Sequence, residues 1–501
     1  MNLKNILEDV KVLYARGIEN IDIKDISIST NDIKKDSLFI CLKGQSYDGH
    51  KFKDEAIKKG AIAFVVEEYD NDCQVPQILV PSTREALSYI SKNFYKPKKM
   101  PKIIGITGTN GKTTTTFMLN SILKSAGKNV GVIGTEGIFF NGNKIVLNMT
   151  TPDPIDLFKY IKEMADVGVE YVVMEVSAHA IYYNKINALD FYAKALTNIT
   201  EDHLDFFETM DRYSQTKIDY MNSGDCIKVV NIDDECGYRI YEEMKEVYTY
   251  GLYDGADIFA YDLSDDCSSY VVNLFNKQVE IETQVLGKYN VENSLCAISL
   301  ATLLGVNDKY IKEGIEAFTS VDGRMNIYKK DNKLAIIDFA HTPDAIEKLL
   351  TTIRPFTKGK LICLFGCGGN RDANKRSIMG NISSRLSDFV YITSDNPRFE
   401  DAEEIAKMIE SGISQKNYTK ILNRKQAIES AILNMCDGDV LLLCGKGAEN
   451  YMDIKGKKYP YSDKEELLKY GFLPFKKSKK KLTATDESKK ELGVNANCEK
   501  I

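Results

Sequence analysis

The segment Gly105-Ile-Thr-Gly-Thr-Asn-Gly-Lys-Thr-Thr114 concentrates the residue types that bind phosphate. Its glycines leave backbone N–H groups exposed, its lysine adds positive charge and its threonine hydroxyls are hard oxygen donors. Set in a turn at a helix N-terminus, Lys112 reaches terminal phosphates and the Thr113 hydroxyl ligates Mg²⁺. Gly108, Thr109, Asn110, Gly111 and Thr114 make up the rest of the cradle. The spacing is not the common phosphate loop, because Ile106 stands where that pattern has its first Gly.

Such a cradle needs a strand before it and a helix after it. Lys102-Ile-Ile104 reads as a short buried strand, and residues 115–124 read as an amphipathic helix. Over residues 98–325, further apolar runs alternate with helical patterns. The runs are Val130 to Gly134, Tyr171 to Glu175, Ala193 to Thr197 and Lys228 to Asn231, and they predict a parallel sheet covered on both faces. Residues 326–475 repeat the pattern, with strands at 334–338, 360–365, 389–393 and 440–444. Residues 1–97 form a smaller α/β region, ending at the proline-containing linker Lys96-Pro-Lys-Lys-Met-Pro101. The Lys-rich, apolar-poor stretch 476–501 reads as a disordered tail.

Ligands of α/β sheets collect at the carboxyl ends of strands. That places weight on Glu175-Val-Ser-Ala-His179 and on Thr197-Asn-Ile-Thr-Glu-Asp-His-Leu-Asp205. Glu175 and His203 become candidate partners for the Mg²⁺ that Thr113 implies, His203 through water, since Mg²⁺ prefers oxygen.

Composition bounds the rest. A chain of 501 residues is too long for one core. A net charge of −6 argues against nucleic acid as the main partner. The 11 cysteines are scattered, and Cys363 and Cys367 lack the second pair a zinc site needs. No apolar run reaches membrane-spanning length, and the charged N-terminus does not read as a signal peptide. The expectation is a cytoplasmic protein.

Longer strings carry a resemblance. Gly108-Thr-Asn-Gly-Lys-Thr-Thr114, Asn148-Met-Thr-Thr-Pro-Asp-Pro154, Tyr213-Ser-Gln-Thr-Lys217 and Leu286-Gly-Lys-Tyr-Asn-Val-Glu-Asn293 occur in order. Gly323-Arg324, Asp338-Phe-Ala-His-Thr-Pro343, Phe365-Gly-Cys-Gly-Gly-Asn-Arg-Asp372, Asp395-Asn-Pro-Arg398 and Gly445-Lys-Gly-Ala-Glu449 follow. Together with Leu38 to Gly44 and Asp48 to Phe52, they resemble the Mur ligase family of ATP-dependent amide-bond synthetases. The likeness is to the members that add the third residue of the peptidoglycan peptide. It implies a three-domain α/β fold: a central P-loop-type parallel sheet, an N-terminal UDP-binding α/β domain and a C-terminal Rossmann-like α/β domain. It also implies ligation through an acyl phosphate made from ATP, with Mg²⁺ as cofactor.

Residue by residue, the resemblance assigns catalysis to Lys112, Glu175, His203 and Lys217. Lys217 takes the place of the family's CO₂-derived carbamate, a metal ligand beside Thr113, Glu175 and His203. Asn290 and Asn293 fall near the adenine, Arg324 on the nucleotide phosphates, and Asp338 and His341 on the ATP side of the third domain. Thr30, Thr150, Thr151, Ser177 and Lys185 match the site for UDP-muramoyl-dipeptide. Arg371, Asp395, Asn396, Pro397, Arg398, Gly445 and Glu449 match the contacts to meso-diaminopimelate. That amino acid carries a second ammonium and carboxylate, which a bidentate Arg and an acid can recognise.

Departures from the family are unevenly placed. Ser29-Thr-Asn31 replaces Asp-Ser-Arg, Tyr183 and Lys185 stand for Gln and Arg, Phe207 for His, Asn370 for Asp and Ala448 for His. A paralogue using another amino acid, such as L-lysine, or a divergent acceptor is therefore one alternative. A non-catalytic nucleotide-binding scaffold is the other.

Overall fold

The computed structural model describes residues 1–44, 47–147 and 149–475. The expected tail at 476–501 and Asn148 lie outside the described residues. Three larger sheets follow one another along the chain.

The first sheet has 5 strands, and its core strands Ser37–Ile40 and Ala61–Val66 run parallel. The helix Thr83–Phe94 covers it, begun by Ser82 Oγ accepting from the Glu85 N–H.

The central sheet has 11 strands. Lys102–Thr107 lies between Phe191–Leu196 and Tyr171–Glu175, all parallel, with Val130–Gly134 beyond. These strands are buried along nearly their whole length, as a sheet covered on both faces requires. The helix Lys112–Ser125 packs Met118, Leu119, Ile122 and Leu123 onto it. The parallel core expected from the sequence is extended at both edges by antiparallel strands. Gly137–Phe140 and Asn143–Ile145 extend one edge antiparallel. Ser269–Leu274 and Lys277–Glu282 extend the other, also antiparallel. Ser269–Leu274 alternates half-buried with buried residues, a two-residue period that a search for continuous apolar runs passes over.

The third sheet has 7 strands, with Val440–Cys444 between Leu361–Phe365 and Lys333–Asp338, all parallel. Asn326–Lys330 pairs antiparallel at one side, and Leu473–Pro474 returns to pair with it. A hairpin, Tyr451–Ile454 with Lys457–Pro460, stands apart from the sheet and bridges to Arg398.

Candidate active site

The carboxyl ends of the central and third sheets share one cavity of ≈ 490 Å³. The phosphate-type loop forms its floor. Gly111 adopts φ 86° and starts the helix Lys112–Ser125, and a Cβ there would overlap Asn293 Oδ1. Gly108, at φ 143°, likewise has no room for a Cβ beside Thr197. The loop is held from outside: Asn198 Oδ1 accepts from the Asn110 N–H at 3.0 Å, and Thr109 Oγ1 bonds the Thr200 carbonyl at 3.1 Å.

Lys112 curls back over the loop and donates to the carbonyls of Gly108 and Thr109, each at 2.9 Å. Burial lowers its pKa, while Glu175 and Asp202 pull it back up. The fully buried Glu175 accepts from Thr113 Oγ1 at 2.9 Å, Thr135 Oγ1 at 3.0 Å and the Thr135 N–H at 2.9 Å. Thr113 and Glu175 thus present adjoining oxygen donors beside a phosphate loop, a set suited to Mg²⁺. Among the described residues, no group of three or more His, Cys, Asp or Glu is gathered to hold a metal. Water and phosphate would have to complete its shell.

Lys217 does not line the cavity. It is 1 % exposed and donates at 2.7 Å to the Tyr213 hydroxyl, which in turn lies 3.0 Å from Thr109 Oγ1. Burial, then Lys112, pushes its ammonium well below the usual lysine range. A neutral buried amine is the form that takes up CO₂, so this side chain fits a carbamate.

His203 lines the cavity with a left-handed backbone, φ 57°, and its Nε2 lies 3.4 Å from Asp202 Oδ2. Burial pushes its pKa down to about 3, against the pull of Asp202. Burial alone would raise Asp202, but its neighbours outweigh that and hold it far below the carboxylate range. With His203 neutral, the donors that matter to Asp202 are Lys375 and the His203 N–H, the latter at 2.9 Å.

The third sheet supplies the opposite wall. Asp338 accepts from the Met325 and Ala340 N–H groups, both at 2.8 Å, and burial raises its pKa. His341 bonds the Phe339 carbonyl through Nδ1 at 2.9 Å, and burial and Lys375 lower it to about 4. Arg324 lays its guanidinium on the Phe339 ring, 4.2 Å from the centroid. Asn110 Nδ2 reaches across to Asp344 at 2.9 Å. Farther along, Arg371, Asp395, Asn396, Arg398, Gly445 and Glu449 all face the same space. Arg398 is left-handed, φ 51°, pinned by backbone bonds to Asp453 and Lys455, and its Nη1 donates to the Gly369 carbonyl at 2.6 Å.

The cavity therefore gathers the nucleotide-type and amino-acid-type candidates, apart from Gly108, Lys217 and Pro397, which do not line it. Of the acceptor-type candidates it gathers only Thr150. Thr151 and Ser177 hydrogen-bond each other behind it, and Lys185 pairs with Asp153 at 2.7 Å. Thr30 lies in the short turn Thr30–Asp32 of the first region, beside Glu55. Residue-level reading missed Lys375 and Asp344 as site builders. Asp202, Tyr213 and Lys446 stand inside the motif strings without a role of their own, but Lys375 reads as an ordinary helix lysine and gave no signal.

The sequence matches three family models: "Mur ligase family, catalytic domain" over residues 22–95, "Mur ligase middle domain" over 106–301 and "Mur ligase, glutamate ligase domain" over 323–447. A Clostridium acetobutylicum protein named UDP-N-acetylmuramoyl-L-alanyl-D-glutamate--2,6-diaminopimelate ligase 1 is 40% identical over 93% of this chain and 98% of its own length. The Clostridioides difficile ligase of that name, without the numeral, is also 40% identical, with the same coverage. A solved structure of a UDP-N-acetylmuramoyl-L-alanyl-D-glutamate--2,6-diaminopimelate ligase superposes with a TM-score of 0.67 at 26% identity, over 94% of this chain and 98% of that one. With three family models matched along its length and relatives 40% identical over nearly the whole of both chains, the chain belongs to the Mur ligase family.

Proposed function

We propose that this protein is the ATP-dependent ligase that joins meso-diaminopimelate to the D-glutamate of UDP-N-acetylmuramoyl-L-alanyl-D-glutamate. One observation carries the reading. Lys112, Thr113 and Glu175 face Arg371, Arg398 and Glu449 across a single cavity, so a phosphorylated carboxylate and an incoming amine would meet there.

A carboxylate is a poor electrophile at neutral pH. Transfer of the ATP γ-phosphoryl group to it makes an acyl phosphate and releases ADP. The amine then attacks the carbonyl carbon, the C–O bond to phosphate breaks, and the amide forms as the amine loses its proton. Lys112 and the Gly108–Thr114 backbone offset the negative charge of the meeting anions. Thr113 and Glu175 would hold Mg²⁺, with His203 nearby and Lys217, as its carbamate, behind Tyr213. The metal would supply further charge neutralisation at the phosphates. Asn290, Asn293, Arg324, Asp338 and His341 line the nucleotide side, and Asp395 to Arg398, Gly445 and Glu449 the amino-acid side.

By this reading residues 1–97 bind the UDP-muramoyl group, 98–325 carry ATP and 326–475 take the amino acid. A cytoplasmic site of action fits these substrates. No helix among the described residues is long and apolar enough to cross a membrane.

A divergent acceptor is the second reading, favoured by two local contacts. The Arg84 guanidinium lies over Tyr183, 4.6 Å from the ring centroid, and Lys185 is already paired with Asp153. Phosphate release with purified UDP-muramoyl-dipeptide and a panel of amino acids tests both. Turnover with lysine but not diaminopimelate would overturn the substrate assignment, and no turnover with this acceptor would favour the second reading.

A further inference from the structure

Lys446 is fully enclosed and does not line the cavity, yet it holds three residues that do. Its Nζ donates to Asn396 Oδ1 at 2.9 Å and to Glu449 Oε2 at 2.6 Å, and lies 3.9 Å from Asp395 Oδ1. A buried ammonium is tolerated only when paired and hydrogen-bonded. Here one ammonium serves two carboxylates, so the corner keeps an excess of acid groups.

The same contacts fix the Asn396 amide. Its Oδ1 accepts from both Lys446 Nζ and the Asp453 N–H, the latter at 2.8 Å. Its Nδ2 is thereby turned to Glu449 Oε2, also at 2.8 Å. Without Lys446, Oδ1 would keep one donor and Glu449 would lose the cation it pairs with among the described residues.

We propose that Lys446 is a positioning residue for amino-acid selection. It aims Asn396 and Glu449 into the cavity and leaves that corner acidic, so that the corner favours an incoming amino acid with a side-chain ammonium. The substrate's identity rests on the diaminopimelate reading above. The side-chain arrangement does not.

The test uses the full-length enzyme with meso-diaminopimelate and with 2-aminopimelate, which keeps the distal carboxylate and lacks the distal ammonium. Lys446→Met is expected to raise KM for diaminopimelate roughly tenfold or more, leave KM for ATP within about twofold and shrink the preference for diaminopimelate over 2-aminopimelate. Lys446→Gln keeps a donor, is gentler on folding and should shift the same quantities less. Unchanged preference in a folded variant, or equal losses for ATP and amino acid, would overturn the proposal. If wild type does not use diaminopimelate at all, the substrate reading fails alone. The KM split for the amino acid it does use then decides the role of Lys446.

Discussion

Lys375 Nζ lies 3.5 Å from Asp202 Oδ1, with both side chains under a tenth exposed, so a nearly buried ion pair joins the third sheet's helix Asn374–Leu386 to the end of the central sheet. Its two halves stand on opposite walls of the cavity. Removing one partner leaves the other's charge enclosed and uncompensated, a loss on the order of 3 kcal/mol. Lys375→Met should therefore destabilise more than the Lys375→Met/Asp202→Asn pair does relative to Asp202→Asn. A denaturant double-mutant cycle checks this, and additive losses would show that the two side chains do not act as a unit.

Acid should loosen the same corner. Burial lowers His203 to about 3 and, with Lys375, His341 to about 4, whereas an unfolded histidine titrates near about 6.5. Both are neutral in the folded protein, so the unfolded chain binds more protons across that window, although the side chains are 34% and 41% exposed and solvent screens part of the effect. Stability present above about pH 6.5 is then lost as pH falls toward 4 and 3. Asp202, held low, adds its own loss only below about pH 4. Unfolding midpoints at pH 7.5 and 5 should differ less for His203→Gln than for wild type. An equal or larger difference would contradict the burial argument.

Lys112→Ala should abolish ADP formation while the protein stays folded. Its ammonium hydrogen-bonds the carbonyls of its own loop, Gly108 and Thr109, rather than tying distant elements together. Loss of a preorganised cation at the phosphates costs roughly a hundred- to a thousandfold in kcat. Near-normal turnover by the folded variant would remove the basis of the mechanism.

If Lys217 carries the proposed carbamate, Lys217→Ala should inactivate and be partly rescued by short carboxylates that take the carbamate's place behind Tyr213. Lys217→Arg should remain inactive, because a guanidinium neither takes up CO₂ nor ligates a metal. Activity retained by Lys217→Arg would make the lysine a simple cation.

The phosphate loop and the parallel strands beside it were legible because each has a local cause. Glycines at 108 and 111 sit where a Cβ has no space, and buried strands read as apolar runs. The antiparallel edges were less so, although Asn141-Gly142, both left-handed, is a hairpin-turn pair that a turn-first reading finds. What stayed hidden was pairing between distant segments. Nothing local to Lys375 names Asp202, and nothing local to Tyr213 names Thr109, the loop residue that its hydroxyl meets. Such contacts follow from how two sheets face each other.

Arg398 should decide between diaminopimelate and lysine. It lines the cavity from a left-handed backbone that costs about 1–3 kcal/mol, held there by the hairpin bonds to Asp453 and Lys455. Its Nη1 is anchored on the Gly369 carbonyl, which steadies the guanidinium for a distal carboxylate. A hydrogen bond to a charged group contributes about 1.5–3 kcal/mol, so Arg398→Ala should raise KM for diaminopimelate by roughly ten- to a hundredfold. KM for ATP should change far less, because the proposed nucleotide site is at the loop on the other wall. Lysine has no distal carboxylate and should lose little or nothing. Parallel kinetics with both amino acids measure the difference, and equal losses would make Arg398 a structural residue of its turn.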